Sequence, residues 1–197
     1  MPLDVAQRRA VAAAALKVAE TKPWRDVTVF DIAAAMGAPI EDLAGLTVGD
    51  AVDAVEEAFD AAAAKGVQGV DDQVLVRDRL FDLAMRRFEA METARGGVRA
   101  IEIALERDPA ALAHQHIRTV RTARWLLALA GIEADGVPGV ARAQGLAVIL
   151  AQARSAWRQD DAGDFVKTMA ALDKALRQAE QTFGRFGGFD APRPAAP

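Results

Sequence analysis

Residues 24–46 read WRDVTVFDIAAAMGAPIEDLAGL, and the caps inside this stretch set the reading of the whole chain. Thr28 and Asp31 stand three apart, the T-x-x-D spacing with which a hydroxyl and a carboxylate satisfy each other's orphan N–H groups at a helix start. The run VFDIAAAM follows, and Gly37 closes it, because glycine reaches the left-handed backbone that ends helices. Pro39 has its φ preset for helix and opens a short third helix, PIEDLAGL. Upstream, Asp4 to Thr21 forms a first helix that stops ahead of Pro23, since the residue before a proline is pushed out of helical geometry.

Downstream the same grammar continues. Thr47 and Asp50 repeat the capping box and start a fourth helix to about Ala64. After the loop GVQGVDD, a fifth runs from about Gln73 to Ala94 and is stopped by Gly96-Gly97; Val98 to Arg107 makes a sixth. Asp108-Pro109 is an N-cap and first-turn pair for a seventh, reaching Gly131. The segment GIEADGVPG reads as a loop, an eighth helix extends to about Gln159, and Asp161 or Asp164 caps a ninth that fades near Arg185. Alanine dominates, β-branched runs are scarce and period-2 alternation is nowhere sustained. The sequence therefore predicts an all-α protein of about nine helices.

Composition narrows the chemistry. The 197 residues are 52% hydrophobic and 26% charged, with no cysteine, no tyrosine and two histidines. A chain of this length buries a core without metals or disulfides. The missing cysteines exclude disulfide frameworks, thiolate metal sites and thiol catalysis. A net charge of -4 supplies no global basic field for nucleic acid. The opening MPLDVAQRRA lacks the apolar core of a signal peptide, and no segment has ~18 uninterrupted apolar residues. The expected location is cytoplasmic.

Helical phase picks out one apolar system. Leu80, Phe81, Ala84, Met85 and Phe88 share a face of the fifth helix; Leu146, Ile149, Leu150, Ala153 and Trp157 do so on the eighth, and Phe165, Met169, Leu172, Leu176 and Phe183 on the ninth. Trp125, Leu126 and Leu129 close the seventh. Periodicity alone does not separate a packed core from the wall of an apolar cavity. Ala84, Gly145, Ala147 and Ala153 leave volume that a plain core would be expected to fill.

The opening helices have the layout of a helix-turn-helix. The stretch AALKVAETKPWRDVTVFDIAAAMGAPIEDLAGL resembles the N-terminal domain of the TetR family of regulators, in Trp24-Arg25-Asp26-Val27-Thr28 and Ile32-Ala33-Ala34-Ala35 above all. Chemistry argues against DNA. From Asp26 to Ala64 there is no lysine or arginine but nine acidic residues, with Glu41 and Asp42 on the would-be recognition helix. Basic residues supply most non-specific affinity for a polyanion. Those ahead of Asp26 (Arg8, Arg9, Lys17, Lys22, Arg25) are the remaining case for backbone contact.

A second resemblance covers about two-thirds of the chain. VRDRLFDLAMRRFEAMETARGGVRAI, Val76 to Ile101, and GLAVILAQARSAWRQDDAGDFVKTMAALDKALRQAE, Gly145 to Glu180, resemble the lipid-binding family of ubiquinone biosynthesis, the ninth of the Coq proteins in the eukaryotic naming, with its bacterial relatives. Arg79-Leu80-Phe81-Asp82, Met85-Arg86-Arg87-Phe88, Gly97-Val98-Arg99, Trp157 with Asp160-Asp161, and Thr168-Met169-Ala170-Ala171-Leu172-Asp173 carry the likeness. The resemblance implies a TetR-like fold: a helix-turn-helix-like domain over 1–46, a helical lipid-binding and dimerisation domain over 47–185, and a disordered tail over 186–197. It implies a non-enzymatic homodimer, paired through its last two long helices. Such a protein holds an isoprenoid lipid or quinone intermediate and aids the demethoxyubiquinone hydroxylase at the inner face of the membrane. A regulator of the TetR family sensing a small apolar ligand is the alternative. The predicted lipid-binding residues are Leu80, Phe81, Ala84, Met85, Phe88, Trp125, Leu129, Leu146, Ile149, Leu150, Ala153, Trp157, Met169 and Leu172.

The family departs from this chain in two places. Its eukaryotic members carry an aromatic pair where Gly139-Val140 stand here, with Arg142 retained, and a C-terminal amphipathic helix that holds the membrane. Here Phe183, Phe186 and Phe189 recur every three residues beside Arg185. They read either as a short membrane-touching stub or as a helix end packing on the dimer partner. No catalytic residue, cofactor or metal is expected. His114 and His116 lie about 200° apart on a helix and cannot chelate as an i, i+4 pair does. Glu102 and Glu106 lack the Glu-x-x-His partners of a di-iron site. Arg118, Arg121 and Arg124 read as a solvated basic face, or else a contact for anionic headgroups. Arg86-Arg87 read as surface residues or as the mouth of a pocket.

Overall fold

The computed structural model describes residues 3–183. Every regular element among them is helical: α1 (Val5–Thr21), α2 (Val29–Met36), α3 (Val48–Ala64), α4 (Val76–Glu92), α5 (Arg95–Leu105), α6 (Pro109–Leu129), α7 (Gly136–Trp157) and α8 (Val166–Phe183), with 3-10 turns at Trp24–Asp26 and Ile40–Leu43. The all-α reading holds, with eight α-helices among the described residues rather than nine. No helix there is long and apolar enough to cross a membrane. Phe186 and Phe189, and the tail of which they are part, lie outside the described residues, as does the side chain of Phe183.

The chain divides into two compact units. One comprises residues up to 62 and 89–118; the other comprises 63–88 and those from 119 onward. These units interleave along the chain.

In the first unit α1 is the central element, packing on both α2 and α5. Its buried face is small-residue rich: Val11, Ala12, Ala14, Ala15, Val18 and Ala19. Asp4 and Gln7 form a capping box at its start. The predicted box at α2 is also present: Asp31 N–H donates to Thr28 Oγ1, and Thr28 N–H donates to Asp31 Oδ2 at 2.7 Å. Gly37, at φ +67°, ends α2 in the left-handed region.

Three sequence expectations fail in instructive ways. The third helix shrinks to the single 3-10 turn Ile40–Leu43, because Pro39 brings no capping side chain and the chain turns away again at Gly45, φ +87°. Gly96-Gly97 do not stop a helix; they lie in the first turn of α5. A Cβ on Gly97 would sit 2.5 Å from the Leu16 carbonyl oxygen, so the glycine permits close approach of α5 to α1. Arg118 is not a solvated cation. It is only 6% exposed, its Nε donates to Asp53 Oδ1 at 3.1 Å and its Nη2 to the Gly49 carbonyl at 3.1 Å. Arg121 and Arg124 are exposed.

In the second unit α7 packs on α8. Half of the expected loop GIEADGVPG belongs to α7, which starts at Gly136 after Asp135. Pro138 fits there because first-turn N–H groups have no intrahelical acceptor to lose. The start of α8 is held by a residue six positions upstream. Asp160 Oδ1 accepts from Lys167 N–H at 2.7 Å, and its Oδ2 accepts from Thr168 N–H at 2.8 Å. Asp160 is thus the main cap, in place of Asp161 or Asp164; Asp164 adds one acceptor for Val166 N–H at 3.2 Å.

Candidate functional site

The predicted apolar residues all fall in the second unit, and the structure sorts them by depth. Leu80, Ala84, Met85 and Phe88 of α4, Leu146, Ile149, Leu150, Ala153 and Trp157 of α7, and Leu172 of α8 are buried side chains. Phe81 and Leu129 are half-buried, while Trp125 and Met169 reach solvent.

Phe81 and Met169 are brought together. They line an open groove of about 490 Å³ whose other walls are Arg77 and Asp78 of α4 and Ala170, Asp173 and Arg177 of α8. That size lies within the range of small-molecule sites. Close by in the sequence, Leu80 and Leu172 are 1% and 0% exposed, and neither lines the groove. Trp125, Leu129 and the α7 residues do not line it.

The rim is ionic and largely self-neutralised. Arg77 Nη2 lies 2.9 Å from Asp78 Oδ1, and its Nη1 lies 3.2 Å from Glu180 Oε2. Arg177 Nε donates to Asp173 Oδ1 at 2.9 Å, one helical turn back on α8. The Asp78 carboxylate raises the affinity of the Arg77 guanidinium for its proton above the ordinary value, against partial desolvation. The residues expected from sequence to bind lipid include none of these ionic groups. A signal for them exists: Met169, Asp173 and Arg177 recur at four-residue steps, as do Arg77 and Phe81.

The α8 wall owes its position to Asp160. Thr168, fully buried, also donates its hydroxyl to Asp160 Oδ2 at 2.5 Å. Burial pushes the Asp160 carboxyl up, but the Thr168 hydroxyl and the Lys167 and Thr168 amides outweigh it, leaving the group below its ordinary range. Phe165, one residue ahead of the helix, takes a left-handed φ of +52°, a conformation that side-chain-bearing residues seldom adopt.

Other expected sites do not assemble. Arg86 pairs with Asp82 at 2.7 Å and Arg87 is buried; neither lines the groove. His114 and His116 are exposed, and no cluster of three or more metal-ligating side chains occurs among the described residues. Glu41 and Asp42, in the 3-10 turn where a recognition helix would lie, are exposed.

No protein-family model matches the chain. No curated protein matches it at a significant level either.

Proposed function

We propose that this chain is a non-enzymatic lipid-binding accessory protein with a TetR-like helical arrangement. It holds an isoprenoid lipid or quinone intermediate for the demethoxyubiquinone hydroxylase of ubiquinone biosynthesis and works as a homodimer in transient contact with the membrane surface. The observation that carries the lipid part is the groove that Phe81, Met169 and Ala170 line together inside an ionic rim. Ligand sites of this kind are mostly apolar with a few placed polar groups. The ubiquinone assignment and the hydroxylase partner rest on the sequence resemblance.

The outward face of α7 supports the homodimer. Val137, Val140 and Val148 are exposed there, and the exposed Ala141, Gln144 and Ala151 continue the same uncharged line at helical spacing. The regulator reading loses ground because its recognition element is one 3-10 turn carrying two exposed carboxylates, facing what would be a polyanion.

Organic extraction of the purified protein, followed by mass spectrometry against an unrelated protein from the same host, tests the proposal. Enrichment of a polyprenylated quinone or precursor is the expected result, and its loss from a folded Phe81→Glu variant ties it to the groove. An extract indistinguishable from the control counts against the reading.

A further inference from the structure

We infer that the groove between α4 and α8 selects amphiphiles by the charge of the head, taking an uncharged oxygen-bearing head and turning away anionic ones, with Asp78, Asp173 and Glu180 as the specificity residues. This deepens the lipid-binding reading and rests on it.

Charge at the groove's rim is already paired within the protein. An arginine in an apolar groove ordinarily invites a carboxylate or phosphate, because its planar fork matches both. Here both guanidiniums are engaged by the protein's own carboxylates, Arg77 by Asp78 and Glu180 and Arg177 by Asp173. Asp173 also acts on Arg77 through space. Two cationic groups thus face three anionic ones. An incoming anion must displace a carboxylate that stays tethered beside it, and at low ionic strength the repulsion between the two is only weakly screened.

An uncharged head meets no such barrier. Each guanidinium has five N–H donors, and Arg77 and Arg177 use only some of theirs on the rim carboxylates, so a carbonyl or hydroxyl oxygen finds donors. A hydroxyl also finds carboxylate acceptors. The chain attached to that head lies against Phe81, Met169 and Ala170.

Calorimetric titration with dodecanol and dodecanoate, each below its aggregation threshold, at pH 8 and low salt, tests this. Dodecanol is expected to bind roughly tenfold more tightly. That preference should collapse in D78N/D173N and partly in Glu180→Gln, each checked for folding by circular dichroism. Equal binding of the two probes, or a preference unchanged in all folded variants, overturns the charge-selection proposal while leaving lipid binding intact. Binding of neither probe removes the lipid-binding reading, and this inference with it.

Discussion

Asp160 and Thr168 are joined twice: one carboxylate oxygen, Oδ2, accepts both the threonine's backbone N–H at 2.8 Å and its hydroxyl at 2.5 Å. Both residues are buried, so the pair acts as a clamp between the end of α7 and the start of α8. Charge-assisted bonds to helix-end amides are among the stronger local interactions, and losing a cap typically costs about 1 kcal/mol.

Asp160→Ala is therefore expected to destabilise by roughly 2 kcal/mol, since it removes a cap and leaves a buried hydroxyl without its acceptor. Asp160→Asn should cost less. The folded carboxyl lies below its unfolded value of 3.8, so its stabilisation is complete above that value and is lost as pH falls through the lower folded one. Urea denaturation of both variants between pH 7 and pH 3 reads this out. A stability gap from wild type that fails to shrink on acidification would show that the cap's charge is irrelevant.

Gly96 and Gly97 should respond oppositely to alanine. At Gly97 the new methyl would press on the Leu16 backbone, and such overpacking costs about 1–3 kcal/mol. At Gly96 the nearest atoms belong to the flexible Glu20 side chain at 3.5 Å, so alanine's helix propensity should stabilise by up to about 1 kcal/mol. Thermal denaturation of the two variants decides it, and equal destabilisation by both would contradict the close approach.

Arg118→Met should cost roughly 2–3 kcal/mol. The variant loses the fork that bonds Asp53 and the Gly49 carbonyl from a buried position, a loss tempered because Asp53 is partly exposed. Arg118→Lys keeps the charge but not the fork that serves Asp53 and Gly49 together, and should fall between the two. The ordering of urea midpoints is the check; a lysine variant as stable as wild type would argue for charge alone.

Asp31 should titrate well below the ordinary aspartate value. The Lys22 ammonium, the Thr28 hydroxyl and the Thr28 amide hold it at about 2, against an ordinary 3.8. Its contribution to stability is fully present above 3.8 and disappears as pH falls towards about 2. Carboxyl carbon NMR should find the Lys22→Met variant titrating closer to 3.8. No movement would assign the whole effect to Thr28.

What the sequence made legible was what local chemistry decides. The Thr28–Asp31 box and the Gly37 stop depend on residues a few positions apart, and both stand where the spacing places them. Gly97 misleads because a glycine reads as a helix stop, whereas its role is settled by Leu16, far away in the chain. Asp160 misleads similarly: nearer aspartates look like better caps, and only the path of the 158–165 loop brings it over α8. Helical phase found Phe81 and Met169, but it cannot distinguish a residue facing a groove from Leu80 or Leu172 facing a core. Phe81 stands about 100° from Leu80 and Met169 about 60° from Leu172 around their helices, within the width of one apolar stripe.

The interleaving of the two units bears on how the chain is made. The α1 face that packs on α5 finds that partner about 80 residues later, after the α4 segment of the other unit has emerged. At typical synthesis rates that is a wait of roughly 4–16 s, long compared with helix formation. During translation the alanine-rich face of α1 is a half-made interface, and the nascent first unit must be tolerated or shielded until Leu105 has left the ribosome.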